Sequence, residues 1–145
     1  MAIARLTEVL DYHLVVVDDR PEFASREKYP QATEIVCDSD FKQGLATLKI
    51  DGNSYIVIAT ADADYPAIQA VINSGAAYIG MIGSKRKVKL IKEKLLAEGV
   101  SEERLQCIYA PVGLDIGSET PAEIAISIMA EILKVKNDKS GESLR

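Results

Sequence analysis

The 145-residue sequence contains one histidine, two cysteines and no tryptophan. With His13 as the only histidine, in a position where a structural role is expected, the sequence offers no Ser-His-Asp or Cys-His arrangement. Cys37 and Cys107 are far apart, each next to an apolar residue, and their spacing matches no familiar metal site. We interpret them as reduced core thiols of a cytoplasmic protein.

Long apolar runs and an excess of basic residues are also missing. No run approaches the ~20 residues of a membrane-spanning helix, and no basic-plus-apolar signal segment opens the chain. The 22 acidic and 17 basic residues give a net charge of −5, which disfavours nucleic acid and anionic membranes as partners. The 48% hydrophobic content suits one compact domain, expected over residues 1–135, with a polar, flexible tail over 136–145.

Short apolar runs alternate with helical patterns along the chain. Runs such as VVV and IVI do not alternate with polar residues, which is typical of strands covered on both faces. Strands that alternate with helices predict a Rossmann-like, doubly wound α/β fold with a parallel sheet of about five strands. The predicted strands are His13–Asp18, Glu34–Cys37, Tyr55–Thr60, Ala77–Ile82 and Gln106–Tyr109, and the predicted helices are Ala2–Leu10, Phe41–Leu48, Pro66–Asn73, Lys85–Glu98 and Pro121–Val135.

One part of a dinucleotide-binding unit is absent from this pattern. Ala2–Leu10 and the following run resemble the helix and second strand of such a unit, with Asp18 where a ribose hydroxyl would bind. The first strand and the G-x-G-x-x-G turn, which should precede the helix, are missing. Because that strand is central in the usual order, its neighbours would keep unpaired edges. We expect another chain, a rearranged segment or a longer native start to fill the gap.

The loop before the last predicted helix carries the densest indication of a binding site. Gly113 and Gly117 flank Asp115, which we interpret as a buried acid. Thr120 is a predicted N-cap, and Glu123 completes a capping box. A helix N-terminus presents unpaired N–H groups and partial positive charge, so an anionic ligand is expected here.

Acidic residues also follow the first and third predicted strands. Asp18 and Asp19 could hold a ribose or another diol, with Arg20 at a phosphate, or they could form a solvated acidic turn. Asp62 and Asp64 could act as an acid and a base, but we assign Asp64 to capping the next helix.

The fourth strand enters its helix through a second candidate loop. Gly83 would let the backbone approach a ligand, and Ser84 would cap the helix. The residues lack the spacing of a P-loop. Lys85–Lys87 could neutralise a phosphate, whereas the lysines beyond them form a solvated helix face.

The last predicted helix is apolar almost all round. Its polar residues form a narrow stripe of Glu123, Ser127, Glu131 and Lys134. A helix of this kind is buried on more than one side, so we expect a homodimer in addition to packing on the sheet.

Four blocks of sequence resemble the C-terminal Rossmann-type domain of the XdhC/CoxI family, accessory factors for xanthine dehydrogenase and related molybdenum hydroxylases. They are VVVDDRPEFA (Val15–Ala24), YIGMIGSKRKV (Tyr78–Val88), AEGVSEERL (Ala97–Leu105) and APVGLDIGSETPAEIAISIMAEI (Ala110–Ile132).

The resemblance implies an accessory role rather than an enzymatic one. The domain would bind or handle the molybdenum cofactor (molybdopterin) before its insertion into a hydroxylase. The family's N-terminal domain is absent, and Ala63 stands where the family carries a histidine in a Thr-x-x-His pattern. The pocket residues that the resemblance implies are Asp18, Asp19, Gly83, Ser84 and the loop Gly113–Thr120, which includes Asp115 and Gly117.

Two other functions compete with this one. The first is an NAD(P)-binding oxidoreductase or sensor domain, which the missing glycine turn and the lack of a catalytic Tyr-Lys or His pair disfavour. The second is a purely structural protein that another chain completes.

Overall fold

The computed structural model describes all residues, 1–145, as an α/β fold in which short parallel strands alternate with helices. The predicted fold class is therefore confirmed, and every predicted strand and helix is present within a few residues. A short additional helix, α5, was not predicted. The strands are β1 (Val15–Asp18), β2 (Glu34–Cys37), β3 (Tyr55–Ile58), β4 (Tyr78–Met81) and β5 (Ile108–Tyr109), and the helices are α1 (Ala2–Val9), α2 (Phe41–Ala46), α3 (Asp64–Val71), α4 (Lys85–Ala97), α5 (Glu102–Leu105) and α6 (Pro121–Lys136).

The strands form two separate parallel sheets. β1 pairs with β2, and β3, β4 and β5 form a three-stranded sheet in that order. β1 and β3 are not hydrogen-bonded to each other, and no strand of the chain lies between them. We call this interruption the strand gap. It agrees with the unpaired strand edges expected from the sequence.

The core has a part on each face of the three-stranded sheet. On one face, Ile79 and Met81 pack against α3 and α4. On the other, Tyr78 packs with Ile128 and Ile132 of α6, and residues of α1 cover this cluster. All of β4 is buried, as its non-alternating apolar sequence predicts for a central strand.

Gly80 permits a close approach across the middle of β4. The rings of Tyr78 and Tyr109 stack with their centroids 4.7 Å apart. A Cβ atom on Gly80 would lie 2.6 Å from Cε1 of Tyr78 and 2.6 Å from Cγ2 of Val112. The absence of a side chain at this position therefore lets the Tyr78 ring lie along its own strand.

Other sequence predictions require correction or stay open. Cys37 is exposed at the end of β2, so its interpretation as a core thiol is wrong, while Cys107 is half-buried. Both thiols are free.

Residues 137–145 follow α6 as exposed chain without a helix or strand, and their flexibility stays a prediction. The longest helix, α6, has 16 residues, and none of the helices qualifies as a membrane span.

Gly80→Ala is expected to destabilise the fold by about 1–3 kcal/mol, because the new methyl group overpacks the site between Tyr78 and Val112. Gly52→Ala is the matched control, since a Cβ atom on Gly52 would meet nothing within 4 Å. Urea unfolding of both variants tests this prediction. Equal stabilities would show that β4 can shift to accept the methyl group.

Candidate functional site

A groove of about 340 Å³ lies between the β4–α4 turn and the loop that joins β5 to α6. Gly83 forms one wall, and Asp115 and Gly117 belong to the other, so the fold brings together three of the predicted site residues. Both walls follow the carboxyl ends of neighbouring parallel strands, the edge at which α/β sheets bind ligands. The groove also has an apolar part, which includes Ile82, Ile116 and Ile124.

The loop wall is fixed by Glu131 of α6. Its side chain is buried, and Oε2 accepts hydrogen bonds from the Tyr78 hydroxyl at 2.6 Å and from the Gly113 N–H at 2.9 Å. One turn earlier, the Ser127 hydroxyl donates to the Leu114 carbonyl oxygen at 2.6 Å. Two members of the polar stripe on α6 thus point inward and hold the loop. The stripe is visible in the sequence, but this role for it was not predicted.

The loop conformation requires glycine at two positions. Gly113 has a φ of +99°, and a Cβ atom there would overlap the Ser127 hydroxyl. Gly117 has a φ of +73°.

Burial, together with the hydrogen bond to Glu131, raises the pKa of Tyr78 well above its usual range. The Tyr78 hydroxyl therefore stays protonated and remains a donor to Glu131.

The start of α6 satisfies its own donors. The predicted capping box is present, with the Glu123 N–H donating to the Thr120 hydroxyl and the Thr120 N–H donating to the Glu123 carboxylate. The Glu119 N–H also donates to Glu123, and these N–H groups hold the pKa of Glu123 below its usual range. Asp115 is exposed, so its predicted burial is wrong. An anion at the start of α6 would meet the carboxylates of Asp115, Glu119 and Glu123. Few backbone N–H groups there are free to donate to it.

The start of α4 carries positively charged side chains, in contrast to the acidic start of α6. Ser84 is the N-cap, as predicted, and its hydroxyl accepts a hydrogen bond from the Lys87 N–H at 3.2 Å. Lys85 and Arg86 are exposed beside it. Gly83 is partly exposed, and a Cβ atom there would meet only the side chains of Lys87 and Met81, at 3.6 and 3.7 Å. Of the two helix starts beside the groove, α4 therefore offers the better environment for an anion.

Asp64 forms a buried ion pair rather than a helix cap. The N-cap of α3 is Ala63, without a side-chain hydrogen bond, so the predicted capping role of Asp64 is wrong. The Asp64 side chain is 2% exposed, pairs with the Lys87 ammonium and accepts a hydrogen bond from the Thr60 hydroxyl. This pair joins the carboxyl end of β3 to the first turn of α4.

Asp18 and Asp19 lie apart from the groove, at the end of β1. Arg20 donates to both oxygens of the Asp18 carboxylate, from Nε at 2.9 Å and from Nη2 at 3.0 Å. This interaction lowers the pKa of Asp18, and the Arg20 guanidinium also stacks on the Phe23 ring. A ribose at Asp18 or a phosphate at Arg20 would have to compete with this local pair.

A larger hollow of about 450 Å³ runs along the outer side of α4. Residues of that one helix form most of its lining, four of them are charged, and Lys85 is the one candidate phosphate-binding residue among them. Because its lining lacks the two loop walls that converge in the groove, we regard the groove as the candidate functional site.

Glu131→Ala is expected to destabilise the protein by about 2–4 kcal/mol, because it leaves the buried Tyr78 hydroxyl and the partly buried Gly113 N–H without this acceptor. Glu131→Gln fills the same volume and keeps one acceptor oxygen, so its loss should be smaller. Chemical unfolding of the two variants gives the comparison. Equal losses would show that packing, rather than hydrogen bonding, accounts for the effect.

Three curated relatives match the chain. It is 38% identical over 140 residues to the protein YqeB of Escherichia coli K12, 29% identical over 136 residues to a probable xanthine dehydrogenase subunit of Bacillus subtilis 168, and 29% identical over 100 residues to the molybdenum cofactor insertion chaperone PaoD of Escherichia coli K12. These matches cover 97%, 92% and 68% of the chain but only 26%, 39% and 31% of the relatives. The chain therefore spans about a quarter to two fifths of their length.

A solved structure shares the arrangement of the whole chain. The crystal structure of a xanthine dehydrogenase from Bacillus halodurans matches with a TM-score of 0.80 at 26% identity, over 99% of this chain and 41% of that one. Residues 1–132 match the model of the XdhC Rossmann domain. The chain therefore belongs to the XdhC family.

Proposed function

We propose that this domain takes part in the maturation of a molybdenum hydroxylase of the xanthine dehydrogenase type, by holding a molybdopterin-type or nucleotide ligand in the groove. The names of the relatives support the maturation role. The observation that carries the proposal is the convergence of the Gly83 turn and the Asp115–Gly117 loop on one groove at the carboxyl edge of the sheet.

The chemistry of the groove fits the parts of such a ligand. Beside the groove, the exposed Lys85 and Arg86 and the first N–H groups of α4 suit a phosphate. Ile82 and Ile116 offer an apolar surface for a ring system, and the exposed Asp115 carboxylate can accept hydrogen bonds from the N–H groups of a pterin. The molybdenum cofactor would be cargo that the domain holds and passes on.

The partner in this proposal is the hydroxylase that receives the cofactor, and the location is the cytoplasm. The two free thiols support a reducing compartment.

NAD(P) is the competing ligand. The bidentate Asp18–Arg20 pair disfavours it, because the carboxylate expected to bind the ribose is already occupied.

Calorimetric titration with molybdopterin, NAD, NADP and AMP separates these ligands. Asp115→Ala should weaken the binding of molybdopterin about tenfold, equivalent to ~1.4 kcal/mol. It should leave the thermal midpoint unchanged, because Asp115 is exposed. Asp62→Ala is the matched control, since Asp62 is an exposed acid outside the groove.

An unchanged affinity in Asp115→Ala would remove this residue from the site. Tighter binding of NAD or NADP than of molybdopterin would favour the oxidoreductase or sensor function. No binding of any ligand, together with co-purification of a second chain, would favour a purely structural role.

We further propose a homodimer through the outer face of α6. Ile126 is 52% exposed on this helix, and apolar exposure of this kind is typical of a contact surface. Light scattering at micromolar concentration should give the mass of a dimer, and Ile126→Asp should give that of a monomer. A monomeric mass for the unmodified chain would contradict the proposal.

A further inference from the structure

The ion pair between Asp64 and Lys87 lies at the carboxyl edge of the three-stranded sheet. Asp64 is 2% exposed, and each of its carboxylate oxygens has one partner: the Thr60 hydroxyl donates to Oδ1, and the Lys87 ammonium pairs with Oδ2. No other group donates a hydrogen bond to Oδ2. Because desolvation offsets much of the attraction within a buried ion pair, stability alone does not account for this one.

The two members of the pair differ in their access to solvent. The Asp64 carboxylate is enclosed by the protein and cannot reach a ligand, whereas the Lys87 side chain is 42% exposed. An ammonium group carries three N–H donors, and Asp64 is the one ion-pair partner of Lys87. The remaining donors of Lys87 are therefore available to an acceptor from outside the chain.

The Lys87 side chain runs back along the first turn of α4, a direction that is usual for a long side chain in a helix. Its backbone N–H donates to the Ser84 hydroxyl, and its Cδ lies 3.6 Å from the position that a Cβ atom on Gly83 would take. The N–H groups of Lys85 and Arg86, the first two of α4, have no acceptor within the chain. The ammonium and two free N–H groups thus lie at the same end of α4, beside the Gly83 wall of the groove.

The other cations at this helix start are not held in place. Lys85 and Arg86 are exposed, and neither forms an ion pair or a side-chain hydrogen bond. Each would lose side-chain freedom on binding an anion, which reduces the affinity gained. Lys87 has already lost this freedom to its pair with Asp64. Its ammonium is therefore the pre-organised cation of this helix start.

We propose that Lys87 binds the phosphate of the ligand directly, and that Asp64 is a positioning residue that holds the Lys87 ammonium for this contact. Lys85 and Arg86 then contribute only long-range attraction. This role of Lys87 rests on the proposed function, in which a ligand with a phosphate occupies this edge of the sheet. It adds which cation contacts the ligand and what fixes that cation.

Calorimetric titration of the 145-residue chain with AMP and with inorganic phosphate tests this role. The double variant Asp64→Asn/Lys87→Gln removes both charges, and its two new amide groups can hydrogen-bond to each other. Its net charge stays at −5, so a change in affinity cannot come from the overall charge. We expect the double variant to bind both probes at least about tenfold more weakly.

Lys89→Gln is the matched control, because Lys89 is an exposed lysine of the same helix outside the groove. It makes the net charge more negative by one, yet it should change the affinity by less than about twofold, since an exposed charge at a distance is screened. Thermal unfolding of the double variant shows whether it is folded at the temperature of the titration.

A second measurement uses the unmodified chain and does not depend on the folding of any variant. Addition of AMP should shift the NMR signal of the Cε methylene group of Lys87 more than that of Lys85, whose side chain extends into solvent.

The expected loss in the double variant, with little change in Lys89→Gln, supports the role of Lys87. Equal affinities of the double variant and the unmodified chain, or a larger shift at Lys85 than at Lys87, would contradict it. Phosphate binding that depends on Lys87 but leaves the amides of residues 113–118 unshifted would support this role and contradict the groove as the ligand site. No binding of either probe by the unmodified chain would overturn both.

Discussion

A single buried carboxylate sets the geometry on the ligand side of this domain. Glu131 accepts hydrogen bonds from Tyr78 in the central strand and from Gly113 in the β5–α6 loop, and so joins α6, β4 and the loop at one atom. Removal of a buried acceptor leaves its donors unpaired, which makes such a junction costly to disturb. Two residues near this junction must be glycine. The Tyr78 ring occupies the space that a side chain on Gly80 would need, and the Ser127 hydroxyl occupies the space that a side chain on Gly113 would need.

The second determinant of the structure is the interrupted sheet. It divides the predicted site residues into two groups: Asp18 and Asp19 at the end of β1, and the groove residues beyond β4 and β5. In the undivided Rossmann arrangement, both groups lie along one edge. The groove therefore lies beyond β4 and β5, and Asp18 and Asp19 at the end of β1 do not contribute to it.

The sequence predicts what depends on local pattern. The unbroken apolar runs predict the buried strands, and the spacing from Thr120 to Glu123 predicts the capping box. The resemblance to XdhC, carried by motifs along most of the chain, predicts the family that the comparisons confirm. The lack of pairing between β1 and β3 agrees with the unpaired strand edges that the sequence predicts.

The remaining site features depend on contacts between distant residues. Asp64 precedes a helix and so suggests a cap, but Lys87, far along the chain, pairs with it instead. Asp115 lies between two apolar residues and suggests burial, but the anchored backbone of its loop directs it outward. The role of Glu131 had a detectable signal, since polar residues four positions apart in an otherwise apolar helix indicate a buried polar contact. That signal does not specify the contacting residues.

Chemical-shift mapping of molybdopterin binding tests the central claim, that the groove held by Glu131 is the ligand site. We predict shifts confined to the amides of residues 82–87 and 113–118, and their loss in Glu131→Ala under conditions where that variant remains folded. Shifts along the outer side of α4, or an unchanged pattern in Glu131→Ala, would contradict the claim.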